Sequence, residues 1–289
     1  MFDILNKIFV WNRDDAVTAL LNTYERQQYC IISYLYFAPI VTHRVFVGPQ
    51  NSNQKTYSQH LLENDFLLMD GIALQVFYFI ARLLGRIKTA KYWLPNLNGT
   101  DFFPYFIKQI KTKYGAKKIN FIFYGVYDQR DACIVNQYGA TKQYGTKKDQ
   151  FKEARIAAIK QHFDLPIDYY YESNFTDDSF ADFSFEDMRK HIKPDAINIV
   201  MNCRWVPRQE FWSHFNRENI KKYHLLVFNQ WATIDYLCGF EKRAPKVLIW
   251  LKLEWLRRLL TGWNKNIKKV LSTLAIFKYI LLYLILKKG

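Results

Sequence analysis

The 289-residue chain is poor in cysteine, glycine and proline, with 4, 11 and 8 of each. Cys30, Cys133, Cys203 and Cys238 lie far apart with no C-x-x-C pair. That spacing excludes a disulfide framework and a zinc motif, and it fits a reducing compartment. Few Gly and Pro, with 23% charged residues, argue against disorder or low complexity. No G-x-G-x-x-G follows an apolar run and no G-x-x-x-x-G-K-[ST] occurs, so the two commonest nucleotide cradles are absent. The N-terminal MFDILNKIFVW lacks the basic, apolar, small order of a signal peptide, so the body is expected to stay in the cytosol. The six histidines are scattered. Glu210 and His214 stand one helical turn apart, but with no third ligand nearby an ordinary surface pair is the plainer reading. Carboxylates are nearly missing from the end of the chain. Residues 242–289 contain Glu254 alone against twelve Lys or Arg, which is +11 of the chain's +15.

What is present is apolar and aromatic sequence, at 50% and 18%, enough for one good-sized core and an appendage. Cations in the tail are embedded in aliphatic sequence (KVLIWLKLEWLRRLL, then IKKVLSTLAIFKYILLYLILKK). Nucleic-acid binders spread such charge over a polar face instead. The pattern therefore favours an anionic membrane surface as partner and disfavours nucleic acid. From Val270 to Leu286 the chain is almost wholly apolar, yet these 17 residues would span only about 26 Å as a helix, short of a bilayer core of about 30 Å. A helix lying in the interface is expected, with Lys265, Lys268, Lys269, Ser272, Tyr279, Tyr283 and Lys287 on its polar side.

Apolar runs at 29–37, 66–69, 119–124, 167–171, 196–201 and 224–228 read as buried strands. Helical patterns at 72–84, 101–113, 153–163, 184–192 and 208–222 alternate with them, and 128–152 reads as a loop insertion. This order predicts an α/β fold, a mostly parallel sheet covered by helices. Residues 1–250 are expected to form the body and 251–289 a basic, apolar, helical appendage. Ligands of such sheets bind beyond the carboxyl ends of the strands, so residues just after each strand carry most weight.

Asp70-Gly71 follows the run FLLM and opens a helical pattern. Asp is a favoured helix cap, which is the plain reading. The functional reading is a carboxylate kept ionised by the helix N-terminus and able to take a proton from a hydroxyl. Gly99 and Asp101, within Asn-Gly-Thr-Asp, either make a turn and cap or present backbone N–H groups to a phosphate or sugar. After AINIVM, the segment NCRWVPRQE sets Pro207 in a first helical turn and Gln209 and Glu210 near the helix start. Glu254 lies three and four residues before Arg257 and Arg258, so an ion pair or a guanidinium fork for diphosphate would both fit.

In order, Asp-Gly after a strand, Gly-x-Asp before a helix, Pro-x-Gln-Glu, Arg-Ala-Pro and Glu-Trp-Leu-x-Arg-Leu resemble the WecG/TagA/CpsF glycosyltransferases, glycosyltransferase family 26. The likeness runs from about Thr42 to Leu260 and is most specific at 207–210, 235–245 (which includes Arg243) and 253–260. The resemblance implies a single Rossmann-like domain and an inverting transferase that needs no metal or other cofactor. It would move a sugar from a UDP donor to a polyprenyl-diphosphate-linked sugar, at the cytoplasmic face of the membrane, for a cell-surface polysaccharide or teichoic acid. N-acetylmannosamine, its uronic acid or a related hexose are the donor sugars it suggests, and a homo-oligomer is compatible with it.

By the same resemblance Asp70 takes the place of the general base. Thr42, Gln209 and Arg258 match substrate-binding positions, and Gly71, Gly99, Asp101, Glu210 and Arg243 lie in the shared motifs. Lys265 and Lys268 stand where the family has diphosphate-binding arginines. The chain departs from the pattern at Arg44 (Asn in the family), Met69 (Pro), Asn96 (Arg) and Trp205 (Gly), changes that bear on pocket shape and donor choice. The alternative function is a non-catalytic scaffold that binds nucleotide-sugar or glycolipid in an assembly complex.

Overall fold

The computed structural model describes residues 3–43, 45, 57–89, 91–126, 156–165, 167–172, 185–204, 206–230, 232–237, 244–245, 247–248 and 275–285. All six expected strands are present: β1 (Cys30–Leu35), β2 (Phe66–Met69), β3 (Ile119–Val126), β4 (Ile167–Glu172), β5 (Ile197–Asn202) and β6 (Leu225–Asn229). Each pairing described between them is parallel, which makes the fold α/β, as the alternation of elements predicts. The chain divides into two compact units. One comprises Met1–Ala19, Ile32–Asn98 and Lys242–Gly289, and the other Leu20–Ile31 and Gly99–Glu241.

In the first unit, Ile32–Leu35 of β1 pair with Phe66–Met69. These strands are apolar at nearly every position because both faces are covered. Helix α1 (Asp3–Lys7) and a bridge from Ile8 to Leu67 lie beside them. Helix α2 (Arg13–Gln27) begins where the Asn12 carboxamide oxygen accepts the N–H groups of Asp14 and Asp15, both at 2.9 Å, a side-chain cap. Helices α3 (Phe37–Thr42) and α4 (Tyr57–Glu63) follow. Helix α5 (Ile72–Leu83) buries Leu74, Phe77, Tyr78 and Ala81, the i, i+3, i+4, i+7 stripe of an amphipathic helix.

The second unit is a sheet in the order β6-β5-β3-β4. Side chains alternate across it. Phe121 and Phe123 share one face with Phe228, under Phe103 and Phe106 of helix α6 (Gly99–Tyr114). Ile122, Tyr124, Val200 and Val227 face the other way and pack with Phe185, Trp212 and Ile220. One helix expected over 208–222 is two, Arg208–Phe215 and Arg217–Lys222, broken at Asn216. There the backbone turns to φ −97°, ψ 14°, and the Trp212 carbonyl accepts both the Asn216 N–H at 2.9 Å and the Asn216 side chain at 3.1 Å.

Candidate functional site

Asp70 stands one residue beyond β2, half-buried, at the carboxyl end of its strand. Its backbone N–H donates to the Leu35 carbonyl at 2.9 Å, which continues the β1–β2 pairing by one step and fixes where the side chain starts. The cap position of α5 falls on Gly71, at φ +89°, a backbone that glycine adopts without strain. Capping is therefore not what places an acid at 70. Beside it lies Tyr34, whose phenol oxygen is buried without a hydrogen-bond partner. Burial pushes the Tyr34 phenol well above its ordinary range, and the negative charge of Asp70 pushes it further.

A strap formed by residues 94–97 holds the start of α5. The Gln75 side chain donates to the Leu94 carbonyl at 2.6 Å, Gly71 N–H donates to the Asn96 side-chain oxygen at 3.1 Å, and Leu97 N–H donates to the Met69 carbonyl at 2.9 Å. Asn96, one of the departures noted above, thus holds the turn that carries Asp70. Thr42 ends α3, exposed, and its hydroxyl donates to the Ala38 carbonyl one turn back at 3.0 Å.

The second unit gathers a different set at its own carboxyl edge. Tyr124, two residues before the end of β3, stands in register with Asn202 and Asn229, the last residues of β5 and β6, and all three touch the helix Arg208–Phe215. The Asn202 side chain donates to the Asn229 side-chain oxygen at 2.9 Å and to the Gln209 carbonyl at 3.1 Å, and the Ser213 hydroxyl donates to that same Asn229 oxygen at 2.9 Å. Gln209 donates through Nε2 to Glu210 Oε1 at 2.7 Å. Arg204 donates to the Tyr124 hydroxyl at 3.0 Å, with its guanidinium 5.0 Å from the ring centre. Every member is buried, yet Asn202 Oδ1, Gln209 Oε1 and Glu210 Oε2 have no hydrogen-bond partner. Buried polar atoms are almost always paired, so three unpartnered oxygens in one place make this sheet edge a candidate ligand site. Burial pushes the Glu210 carboxyl up to about 8 against the opposing pull of the Gln209 hydrogen bond, so near neutrality it is largely protonated and can donate.

Gly99 opens α6, and its need for glycine is steric. A Cβ there would sit 2.4 Å from Gln230 Oε1 and 2.8 Å from Thr233 Oγ1. Gln230 Nε2 is buried and without a partner, so this packing leaves one donor open near the α6 N-terminus. Asp101 lies exposed in the first turn of α6. A separate cleft of about 440 Å³, lined by Ile107, Lys111, His162 and Asp164, lies toward the opposite end of α6. There Lys111 donates to the carbonyls of Phe163 and Asp164, closing off the helix 156–163 in a structural role.

Of the residues singled out from sequence, Asp70, Gly71 and Thr42 fall in the first unit and Gly99, Asp101, Gln209 and Glu210 in the second. Arg243, Arg258, Lys265 and Lys268 lie outside the described residues. Sequence reading missed Tyr34, Asn202, Arg204, Asn229 and Gln230. The available signal was an Asn as the last residue of two successive apolar strands.

A family model for the glycosyl transferase WecG/TagA/CpsF family matches residues 6–288. The chain belongs to that family. It is therefore a glycosyltransferase by membership, with a sugar donor and an acceptor as its general partners, and the match reaches well beyond the 42–260 over which motifs were recognised. No curated protein matches the chain significantly.

The family match includes nearly all of the C-terminal segment. Its described part is a short helix, Ile276–Tyr279, that continues as a π-helical turn, Ile280–Ile285. Here the expected polar face is corrected at Tyr279; Lys265, Lys268, Lys269, Ser272 and Lys287 of that face lie outside the described residues. Tyr279 is buried against Phe37, with ring centres 5.8 Å apart, and the Tyr283 ring lies beside it, tilted at 45°. The side pointing away from the protein is Phe277, Leu281 and Ile285, with Lys278 beside them. A helical wheel cannot see that Phe37 offers the tyrosine ring a better neighbour than water. Among the described residues no helix is long and apolar enough to cross a membrane.

Proposed function

We propose that this family member transfers a sugar, with inversion, from a UDP donor to a polyprenyl-diphosphate-linked sugar. An N-acetylhexosamine such as N-acetylmannosamine, or a related hexose, is the donor sugar. The observation that carries the reading is Asp70: a half-exposed carboxylate at the carboxyl end of a parallel strand, at a helix start, and not the cap residue of that helix.

In this reading the acceptor hydroxyl gives its proton to Asp70 while its oxygen forms a bond to the anomeric carbon. The bond from that carbon to the UDP oxygen breaks from the opposite face, and its electron pair leaves on the diphosphate. Charge developing there needs donors aimed at it. The cationic tail residues Arg258, Lys265 and Lys268, with Arg243 and Thr42, are assigned to the phosphates and the acceptor. The half-satisfied web at Asn202, Gln209 and Glu210 supports a second role, recognition of the polar part of the donor by groups that are dry before it arrives. No metal is assigned a part, so turnover is expected to survive a chelator. The basic apolar tail supports work at the cytoplasmic face of a membrane, as a peripheral protein.

The test is UDP release by purified protein given a lipid-diphosphate-linked sugar, compared with Asp70→Asn. Turnover in the wild type that is lost in the variant is the expected result. Equal rates in the two would remove Asp70 as base.

A further inference from the structure

Nearly every large apolar side chain exposed among the described residues belongs to the first unit: Phe215 alone lies in the second. Leu83 and Leu84 at the end of α5 are 63% and 45% exposed, and Tyr92 and Trp93 in the following segment 50% and 47%. Tyr92 and Trp93 are tied back onto the helix that ends at Leu83, which makes one ridge with Leu83 and Leu84. Arg82 lies over the Tyr92 ring at 4.6 Å, and Trp93 packs edge-on against Phe79 of α5 at 5.9 Å. Arg86 donates to the Leu284 carbonyl at 3.0 and 2.6 Å through two nitrogens, which joins the ridge to the outward face of Phe277, Leu281 and Ile285.

Charge says what covers this surface. Residues 71–100 contain Arg82, Arg86, Lys88 and Lys91 and no carboxylate. Lys88 and Lys91 are exposed, and Lys91 also sits 5.0 Å over the ring of exposed Trp11. A second copy of the chain would bring the same positive charge against it. Aromatic side chains with polar edges, aliphatic tips and cations without acids are the composition that settles at the headgroup level of an anionic bilayer.

We propose that Leu83, Leu84, Tyr92 and Trp93 insert into an anionic membrane, as a contact of the body separate from the basic tail. Trp93 precedes Leu94, whose carbonyl holds Gln75, and Gln75 lies only about 6 Å along the helix axis from Gly71. The Trp93 end of the ridge thus lies nearest the turn that carries Asp70, where a lipid-borne acceptor has to present its hydroxyl, and Leu83 and Leu84 lie about 18 Å along the helix axis from Gly71. The contact itself rests on no step of sugar transfer.

Flotation of the full-length protein with phosphatidylglycerol-containing vesicles, and with phosphatidylcholine alone, tests it. Wild type is expected to float with the anionic vesicles and weakly with the neutral ones. The variant Leu83→Ser/Leu84→Ser/Trp93→Ser, with its tail intact, should lose on the order of tenfold or more in vesicle partition. Leu83→Asp, a change at a position that is 63% exposed, should lose several-fold, with its melting temperature and its turnover on a short-chain, water-soluble acceptor unchanged. Binding equal to wild type in Leu83→Asp overturns the proposal, whatever the triple variant does. So does unchanged flotation accompanied by a change in sedimentation, which would assign the ridge to a second copy. A wild type that floats but turns over no UDP-sugar would instead remove the transferase reading and leave this one standing.

Discussion

The two units solve opposite problems with polar and apolar groups. In the second, polar side chains at the sheet edge (Asn202, Gln209, Glu210, Asn229) are withdrawn from water and bonded mostly to one another. In the first, the acid at the sheet edge keeps partial contact with solvent, and it is the apolar side chains at Leu83, Trp93 and Phe277 that are turned outward. A dry polar web is costly unless something completes its hydrogen bonds, and an exposed apolar ridge is costly unless something covers it. Each unit thus advertises the chemistry of what it meets: a polar molecule in one, an oily surface in the other. The Asp70 carboxylate lies in the first unit, the one with the exposed apolar side chains, and the proposed transfer to a lipid-borne acceptor makes use of that pairing.

The widest gap between the units should open with Asp70→Asn. Loss of a general base lowers turnover by on the order of 10²–10⁴-fold, and since the residue is half-exposed and not the helix cap, the melting temperature should hold. A fall in stability matching the fall in rate would make Asp70 a structural residue. Glu210 should behave in reverse, through stability and its dependence on pH. Its folded-state value of about 8 lies above the ordinary 4.5, so the folded protein holds the proton longer than the unfolded chain does. Stability from this group is whole below the ordinary carboxylate range, declines as pH rises, by at most about 1.4 kcal/mol per pH unit, and stops declining above about pH 8. Denaturant unfolding at several pH values should show that slope in the wild type and lose it in Glu210→Gln.

A smaller effect is expected from Gly99→Ala. Its methyl group would meet Gln230 and Thr233 at less than contact distance, at a cost of about 1–3 kcal/mol, read as a lower melting temperature. An unchanged melting temperature would mean that Gln230 swings clear and that its bond to Thr233 matters little. Smallest of all is Tyr34→Phe. The hydroxyl has no partner, so its removal should leave stability within about 1 kcal/mol of wild type or raise it. A loss above about 2 kcal/mol would show that the phenol is bonded, with Asp70 as the nearby charge.

Much of this architecture can be read from residues alone, because parallel strands buried on both faces declare themselves as short, unbroken apolar runs. All six strands, the Asp70 turn and the helix start at Gln209 and Glu210 were legible that way. The N-terminal helices were not assigned, although Asn12 with Asp14 and Asp15 in the next turn is a cap signal. The break at Asn216 was invisible because it is a small local change of backbone angle that leaves the flanking helical hydrogen bonds in place. The buried web was missed for another reason. Asn202, Asn229 and Gln230 are ordinary turn residues singly, and only parallel register brings the first two side by side. Orientation of the C-terminal helix was misjudged at Tyr279, since amphipathicity ranks faces against water and takes no account of a neighbouring ring.

Three bonds lace residues 94–97 to the start of α5 and the end of β2, and Trp93 is the next residue along. Two of these bonds end on the backbone on either side of Asp70, at Met69 and Gly71, so a shift of the indole is expected to reach that turn. A tryptophan substitution some distance from the reacting atoms would therefore be felt as a misaimed carboxylate.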